Sequence, residues 1–194
     1  PPPLRALVEA IASLERQTLE ASGMSGTVLR YGWFLGPGTS YDPQRTIPTA
    51  IREGTMPIVG SGNGAYSYID LRDAAAATVK ALEHETRGIY NIVNDSPVRF
   101  SEWLPYAAKL LGAPAPGHMD EAVARQKLGE MRAYYMDEQR GASNAKAKRD
   151  LEWQPAFQWR ESFEAPYSCP VPTPTSAKSL SIPSSMRDAP DTRS

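Results

Sequence analysis

Hydrophobic positions change period several times along this chain. Leu4, Leu7, Val8, Ile11, Leu14 and Leu19 recur near helical spacing and stop at Ser22-Gly23, which predicts an opening helix. Thr27-Val28-Leu29-Arg30-Tyr31 then reads as a short strand, closed by Gly36-Pro37-Gly38. Thr46 to Arg52 predicts a short helix that Gly54 ends, and Met56 to Val59 and Tyr66 to Ile69 predict two strands around Gly60-Ser61-Gly62-Asn63-Gly64. Asp70 is placed to cap a long alanine-rich helix from Leu71 to about His84, since its carboxylate can accept from first-turn amides. Ile89 to Val93 is the next strand. Ser101 opens a helix running to Leu111-Gly112, with Pro105 in its first turn. Further helices are expected near 119–129 and 143–151, and a last one through Phe163.

Single apolar strands alternating with helices predict an α/β fold with a parallel sheet. Three or four strands are too few for a complete doubly wound sheet, which takes five or six or more. The expectation is therefore the C-terminal half of a larger parallel-sheet α/β domain with a small, mainly helical cap, over residues 1–165. Residues 166–194 are rich in Pro, Ser and Thr and poor in large apolar groups, so a disordered tail is expected there.

Composition changes the picture mainly by exclusion. Twenty-one basic and 22 acidic residues give a net charge of −1, which argues against nucleic acid as a partner. One cysteine, Cys169, rules out an internal disulfide and a multi-thiolate metal site. No apolar run approaches the roughly 18 residues of a membrane helix, and Pro1-Pro2-Pro3 does not open a secretory leader. A soluble, cytoplasmic protein without a membrane partner is expected, its sequence starting inside a longer one.

Candidate chemistry is sparse. Gly60-Ser61-Gly62-Asn63-Gly64-Ala65 satisfies the dinucleotide-loop spacing, but an aromatic strand follows where a helix N-terminus is needed to receive the pyrophosphate. A β-hairpin turn is the better reading. His84 and His118 lack a second ligand at helical spacing, so no metal site is expected. Asp70 and Asp73 stand three apart across a helix start, where one can cap and the other can face a cleft, although capping plus ordinary surface charge accounts for both. Tyr134-Tyr135 and the four tryptophans read as packing, and Lys146, Lys148 and Arg149 as a solvated helix face.

The order of motifs nevertheless resembles the extended short-chain dehydrogenases/reductases of the NAD-dependent epimerase/dehydratase family. Leu29-Arg30 through Gly36-Pro37-Gly38 is similar to that family's "LR…GPG" strand and loop. Pro57 to Gly62 resembles its "P-x-x-G-x-G" turn, Tyr68 to Ala75 its "Y-I-H-V-x-D-x-A" strand-to-helix junction, and Gly88 to Ile92 its "G-x-x-Y-N-I" strand. Leu151-Glu152-Trp153-Gln154-Pro155 resembles the terminal "L-G-W-x-P". The match runs over about residues 7–163.

The resemblance implies the rear of a Rossmann domain plus most of a substrate-binding region, with NAD or NADP as cofactor and a nucleotide sugar or related carbonyl or carbinol as substrate. It implies that Tyr31, Gly32 and Trp33 lie beside the nicotinamide, and that Tyr66, Arg140 and Asn144 fall among the substrate contacts. A homodimer is compatible with it. Departures matter as much. No Tyr-x-x-x-Lys pair occurs, and Leu7 and Ile11, or Leu4 and Val8, stand where it belongs. No catalytic residue is therefore assigned, and the glycine-rich phosphate turn has no counterpart. The expectation is a truncated oxidoreductase portion, inactive alone and binding its cofactor only with the missing N-terminal half; the alternative is a non-catalytic NAD(P)-sensing or scaffold protein of the atypical branch.

Overall fold

A computed structural model of the chain describes residues 2–168. Helix α1 (Pro2–Glu20) leads into two parallel-sheet strands, β1 (Thr27–Tyr31) and β2 (Trp33–Leu35). Helix α2 (Thr46–Arg52), β3 (Ile58–Val59), β4 (Ala65–Tyr66) and β5 (Tyr68–Asp70) follow, then α3 (Leu71–Glu83), β6 (Gly88–Ile92), β7 (Val98–Arg99) and α4 (Phe100–Leu110). The remainder is β8 (His118–Met119), α5 (Glu121–Leu128), α6 (Glu130–Asp137), α7 (Ala145–Asp150) and α8 (Trp159–Ser168). The α/β class and parallel pairing are as expected.

β1 pairs in parallel with β6 over five residues, and β2 pairs in parallel with β5 over three. Side chains alternate across β1. Arg30 meets Glu15 of α1, whereas Tyr31, on the other face, shares a hydrogen bond with Thr78 of α3. α1 and α3 therefore cover opposite faces of this sheet. α3 begins where Asp70 accepts the Arg72 N–H at 2.8 Å, so the predicted cap is present.

Several details differ from expectation. The strands flanking Gly60–Gly64 do not form a hairpin: β3 pairs in parallel with β8, and β4 pairs antiparallel with β7. The reason is long-range. The Gly60 N–H donates to Met119 O, and the Asp137 carboxylate accepts from the Ser61 and Asn63 N–H groups, which pulls the turn away from its own strands. The segment Tyr66 to Ile69 is not one strand but two, switching partners at Ser67. Helix α4 starts one residue early, so Pro105 is its sixth residue rather than part of its first turn. Helix α6 was hidden by Gly129, which takes φ +87° between α5 and α6. α8 continues through Ser168, past the boundary drawn from composition, and the rest of the expected tail, 169–194, lies outside the described residues.

Two hydrophobic clusters result. One gathers Tyr66, Tyr68, Trp103, Leu104 and Phe163 between α2, α4 and α8. The other packs Ala74, Ala77 and Ala81 of α3 against Tyr90, Ile92, Leu151 and Trp153. Among the described residues no helix is long and apolar enough to cross a membrane.

Candidate functional site

Gly32 lies between β1 and β2, where the chain exchanges β6 for β5 as its pairing partner. Its own N–H donates to Ile92 O at 3.0 Å, and the next N–H, on Trp33, donates to Ser67 O at 2.9 Å. A Cβ at position 32 would lie 2.4 Å from Ser67 O, so only glycine lets the two strands approach this closely. The crossing opens a cleft of about 410 Å³ at the carboxyl ends of β1 and β6, the end at which open α/β sheets bind ligands. Tyr31, Gly32 and Trp33 line it together with Arg140, so four of the six residues named from the sequence meet here. The Tyr31 hydroxyl is turned away toward Thr78 Oγ1, 2.5 Å distant.

The cations at this cleft differ in availability. Arg30 is committed to Glu15 through a bidentate pair at 2.6 and 2.5 Å. That hydrogen bond holds the Glu15 carboxyl below its ordinary value. Arg140 is exposed and has no hydrogen-bond or ion-pair partner among the described residues.

On the far side of Trp33 lies a second, apolar cavity of about 330 Å³. The Trp33 ring stands 5.6 Å from Tyr66 and 5.5 Å, edge-on, from Tyr135, so one indole forms the partition between cleft and cavity. Tyr66, the fifth named residue, belongs to this cavity. Burial pushes its phenol well above the ordinary tyrosine range, with the neighbouring Tyr41 and Tyr135 adding to the effect. It remains protonated and can donate but not act as a base near neutral pH.

Asn144, the sixth, is placed elsewhere. It is buried, and its amide nitrogen is spent on Val93 O and Asp95 Oδ1, both at 2.8 Å. It lines a separate depression, not the cleft, and ties α7 to the end of β6. The Asp95 carboxyl is held below its ordinary value by that amide, with Lys148 adding to the effect against burial. Sequence spacing could not separate Asn144 from Arg140, because both precede α7 on one loop.

Asp70 and Asp73 are both structural. Burial opposes ionisation of Asp70, but the Arg72 guanidinium and N–H outweigh it and hold the carboxyl below its ordinary value. Asp73 accepts the Ala156 and Phe157 N–H groups, each at 3.0 Å, which pins the segment after Trp153 onto α3. Neither lines the cleft or the cavity behind Trp33.

A nicotinamide cofactor fits these residues at one end only. The glycine-floored cleft with its unpaired guanidinium suits the nicotinamide portion. Among the described residues nothing suits the pyrophosphate: the turn Gly60–Gly64 runs into a strand, and its amides already hold the Asp137 carboxylate. Sequence reasoning missed Asp137 and read Tyr135 only as packing, since both reach the site from α6, which the hydrophobic pattern does not predict.

Residues 9–93 match the model of the NAD dependent epimerase/dehydratase family. The chain is 36% identical over 159 residues to a 3-diazoavenalumate denitrifying reductase from a Streptomyces species, covering 81% of this chain and 52% of that protein. Among solved structures, a nucleoside-diphosphate-sugar epimerase from Pseudomonas aeruginosa is similar at TM-score 0.64 and 24% identity, with 80% of this chain and 52% of that one covered. The human epimerase family protein SDR39U1 with NADPH is similar at TM-score 0.61 and 22% identity, covering 74% and 48%. At these identities the structural matches establish the Rossmann-type fold. The chain spans about half the length of the relatives it matches.

Proposed function

We propose that this chain, whose residues 9–93 match the model of the NAD dependent epimerase/dehydratase family, is the rear, substrate-side portion of an NAD(P)-dependent oxidoreductase. Its substrate is a carbonyl or carbinol compound, a nucleotide sugar or a related molecule. The observation that carries this reading is the single Trp33 partition: a polar cleft at strand carboxyl ends on one side, an aromatic cavity on the other.

NAD(P), when bound, supplies hydride transfer. The residues of this chain do the positioning. The backbone of Tyr31–Trp33 forms the floor on which the nicotinamide end rests, and Gly32 presents no side chain to it. Arg140 provides positive charge at the rim. Trp33, Tyr66 and Tyr135 hold the substrate on the other side and keep water from it. No residue here is assigned the proton transfer, because Leu7 and Ile11, or Leu4 and Val8, replace the Tyr and Lys that the family places on α1. That replacement favours a second reading, a non-catalytic NAD(P)-sensing or scaffold protein.

With no pyrophosphate cradle among the described residues, the chain alone binds NADPH weakly and turns nothing over. Calorimetric titration of NADPH into the chain is expected to give no saturable heat at micromolar concentrations, and a micromolar affinity overturns the partial-site reading. Joining the chain to the front half of the Streptomyces reductase separates the two functions. NADPH oxidation by that hybrid in the presence of a carbonyl substrate supports the enzyme, whereas stoichiometric NADPH binding without oxidation supports the sensor.

A further inference from the structure

The cavity behind Trp33 has a chemistry of its own. Its walls are Trp33, Tyr66, Phe100 and Tyr135 with Met56 and Met131, and Arg132 is the one charged residue among its described lining. Arg132 is exposed and unpaired, with no hydrogen bond or ion pair among the described residues. Tyr66 is 6% exposed, and its hydroxyl likewise has no hydrogen-bond partner there. A protonated phenol without a protein partner offers its O–H to an acceptor.

Size and charge narrow the occupant. At about 330 Å³ the cavity lies at the lower end of the roughly 300–1,000 Å³ usual for small-molecule sites. A nucleoside diphosphate sugar brings two phosphate charges and a hydrated sugar to walls that offer one guanidinium and mostly apolar surface. A single carboxylate matches one arginine in a two-pronged pair, and a flat ring matches tilted and edge-on aromatic walls.

Resting on the reading of this cavity as the substrate site, we propose that it takes a compact, planar aromatic carboxylic acid rather than a nucleotide sugar. The ring lies among Trp33, Tyr66 and Tyr135, the carboxylate pairs with Arg132, and a ligand oxygen accepts from the Tyr66 hydroxyl. Thioether contacts from Met56 and Met131 let the walls adjust to ring substituents.

The test uses the full chain labelled with ¹⁵N, following the Trp33 indole resonance assigned with Trp33→Phe. Cinnamate, cinnamamide and UDP-glucose are titrated separately. Cinnamate is expected to shift the Trp33 signal and to bind about tenfold tighter than the neutral amide. Arg132→Gln is expected to bring the two within about twofold while leaving the amide's affinity unchanged. Tyr66→Phe is expected to weaken both by a few-fold. Arg132 is exposed, so its replacement leaves folding intact, checked by unchanged indole dispersion. If UDP-glucose shifts the signal and binds tighter than cinnamate, the acid proposal falls while the cavity remains a substrate site. If the cinnamate preference survives Arg132→Gln, the carboxylate assignment falls alone. If none of the three moves Trp33, the proposal and the reading beneath it fall together.

Discussion

Helices α1 and α3 are both amphipathic and lie on opposite faces of the same two strands, yet they end up in opposite circumstances. α3 turns Ala74, Ala77 and Ala81 to the sheet, and the small side chains let it sit close against Tyr90 and Ile92. α1 carries a stripe of larger groups, and Leu7, Val8, Ile11 and Leu14 are 44% to 65% exposed. Its polar ties to the strands lie near its C-terminus, where Glu15 clasps Arg30 and Arg87 donates to Leu19 O, while the apolar groups further forward face Tyr134 and Tyr135 of α6 across an open cavity. The difference teaches that an apolar stripe reports what a helix is suited to cover, not what covers it. α3 also leaves Val79 and Leu82 in solvent, but these are two residues on its outer side rather than a continuous row.

The sharpest way to break the contrast is to loosen the closed side. Asp73→Ala removes the buried carboxylate that accepts two part-buried N–H groups and frees the segment after Trp153, so a loss of about 3 kcal/mol is expected in urea unfolding. A cost below that of a surface substitution would mean that α3 is held by its alanines alone. A smaller effect is expected at the ion pair that ties α1 to β1. Glu15→Gln should cost about 1 kcal/mol at pH 7, because Arg30 is half-exposed and the pair is partly screened. The sign with pH follows from the lowered Glu15 carboxyl: its contribution is complete above the ordinary value of 4.5 and is lost as pH falls through the lowered one. Urea midpoints of the two proteins should therefore converge in strong acid, and a constant gap would assign the loss to packing instead. The smallest effect belongs to Leu14→Glu, beside Glu15 in sequence but 65% exposed. Its unfolding free energy should change by less than about 0.5 kcal/mol. A large loss would show that α1's stripe is covered in solution.

Much of the local structure was legible because its causes are local. Asp70 caps the helix that starts at the next residue, and the β-branched and apolar run at Thr27–Tyr31 makes a strand wherever it is placed. The convergence of Tyr31, Gly32, Trp33 and Arg140 was reached through resemblance rather than spacing. Other features stayed hidden because the deciding partner is distant. The turn Gly60–Gly64 carries hairpin residues, yet its geometry is decided by Asp137, more than 70 positions on. Asn144 and Arg140 look equivalent on one loop, but only Asn144 reaches Val93 and Asp95.

Glu152 shows where a local preference gives way. It stands where the resembling motif has glycine and takes φ +48°, a conformation that costs a residue with a Cβ about 1–2 kcal/mol. It is held there between Leu151 and Trp153, both buried in the second cluster. The sequence by itself determined the elements, the caps and the aromatic content of the cavity, because backbone sterics and side-chain periodicity act over a few residues. Tertiary structure alone decided which strands pair, which carboxylates are consumed by backbone amides, and which arginines stay free, because a hydrogen bond between distant residues forms only once packing has brought its two ends within about 3 Å.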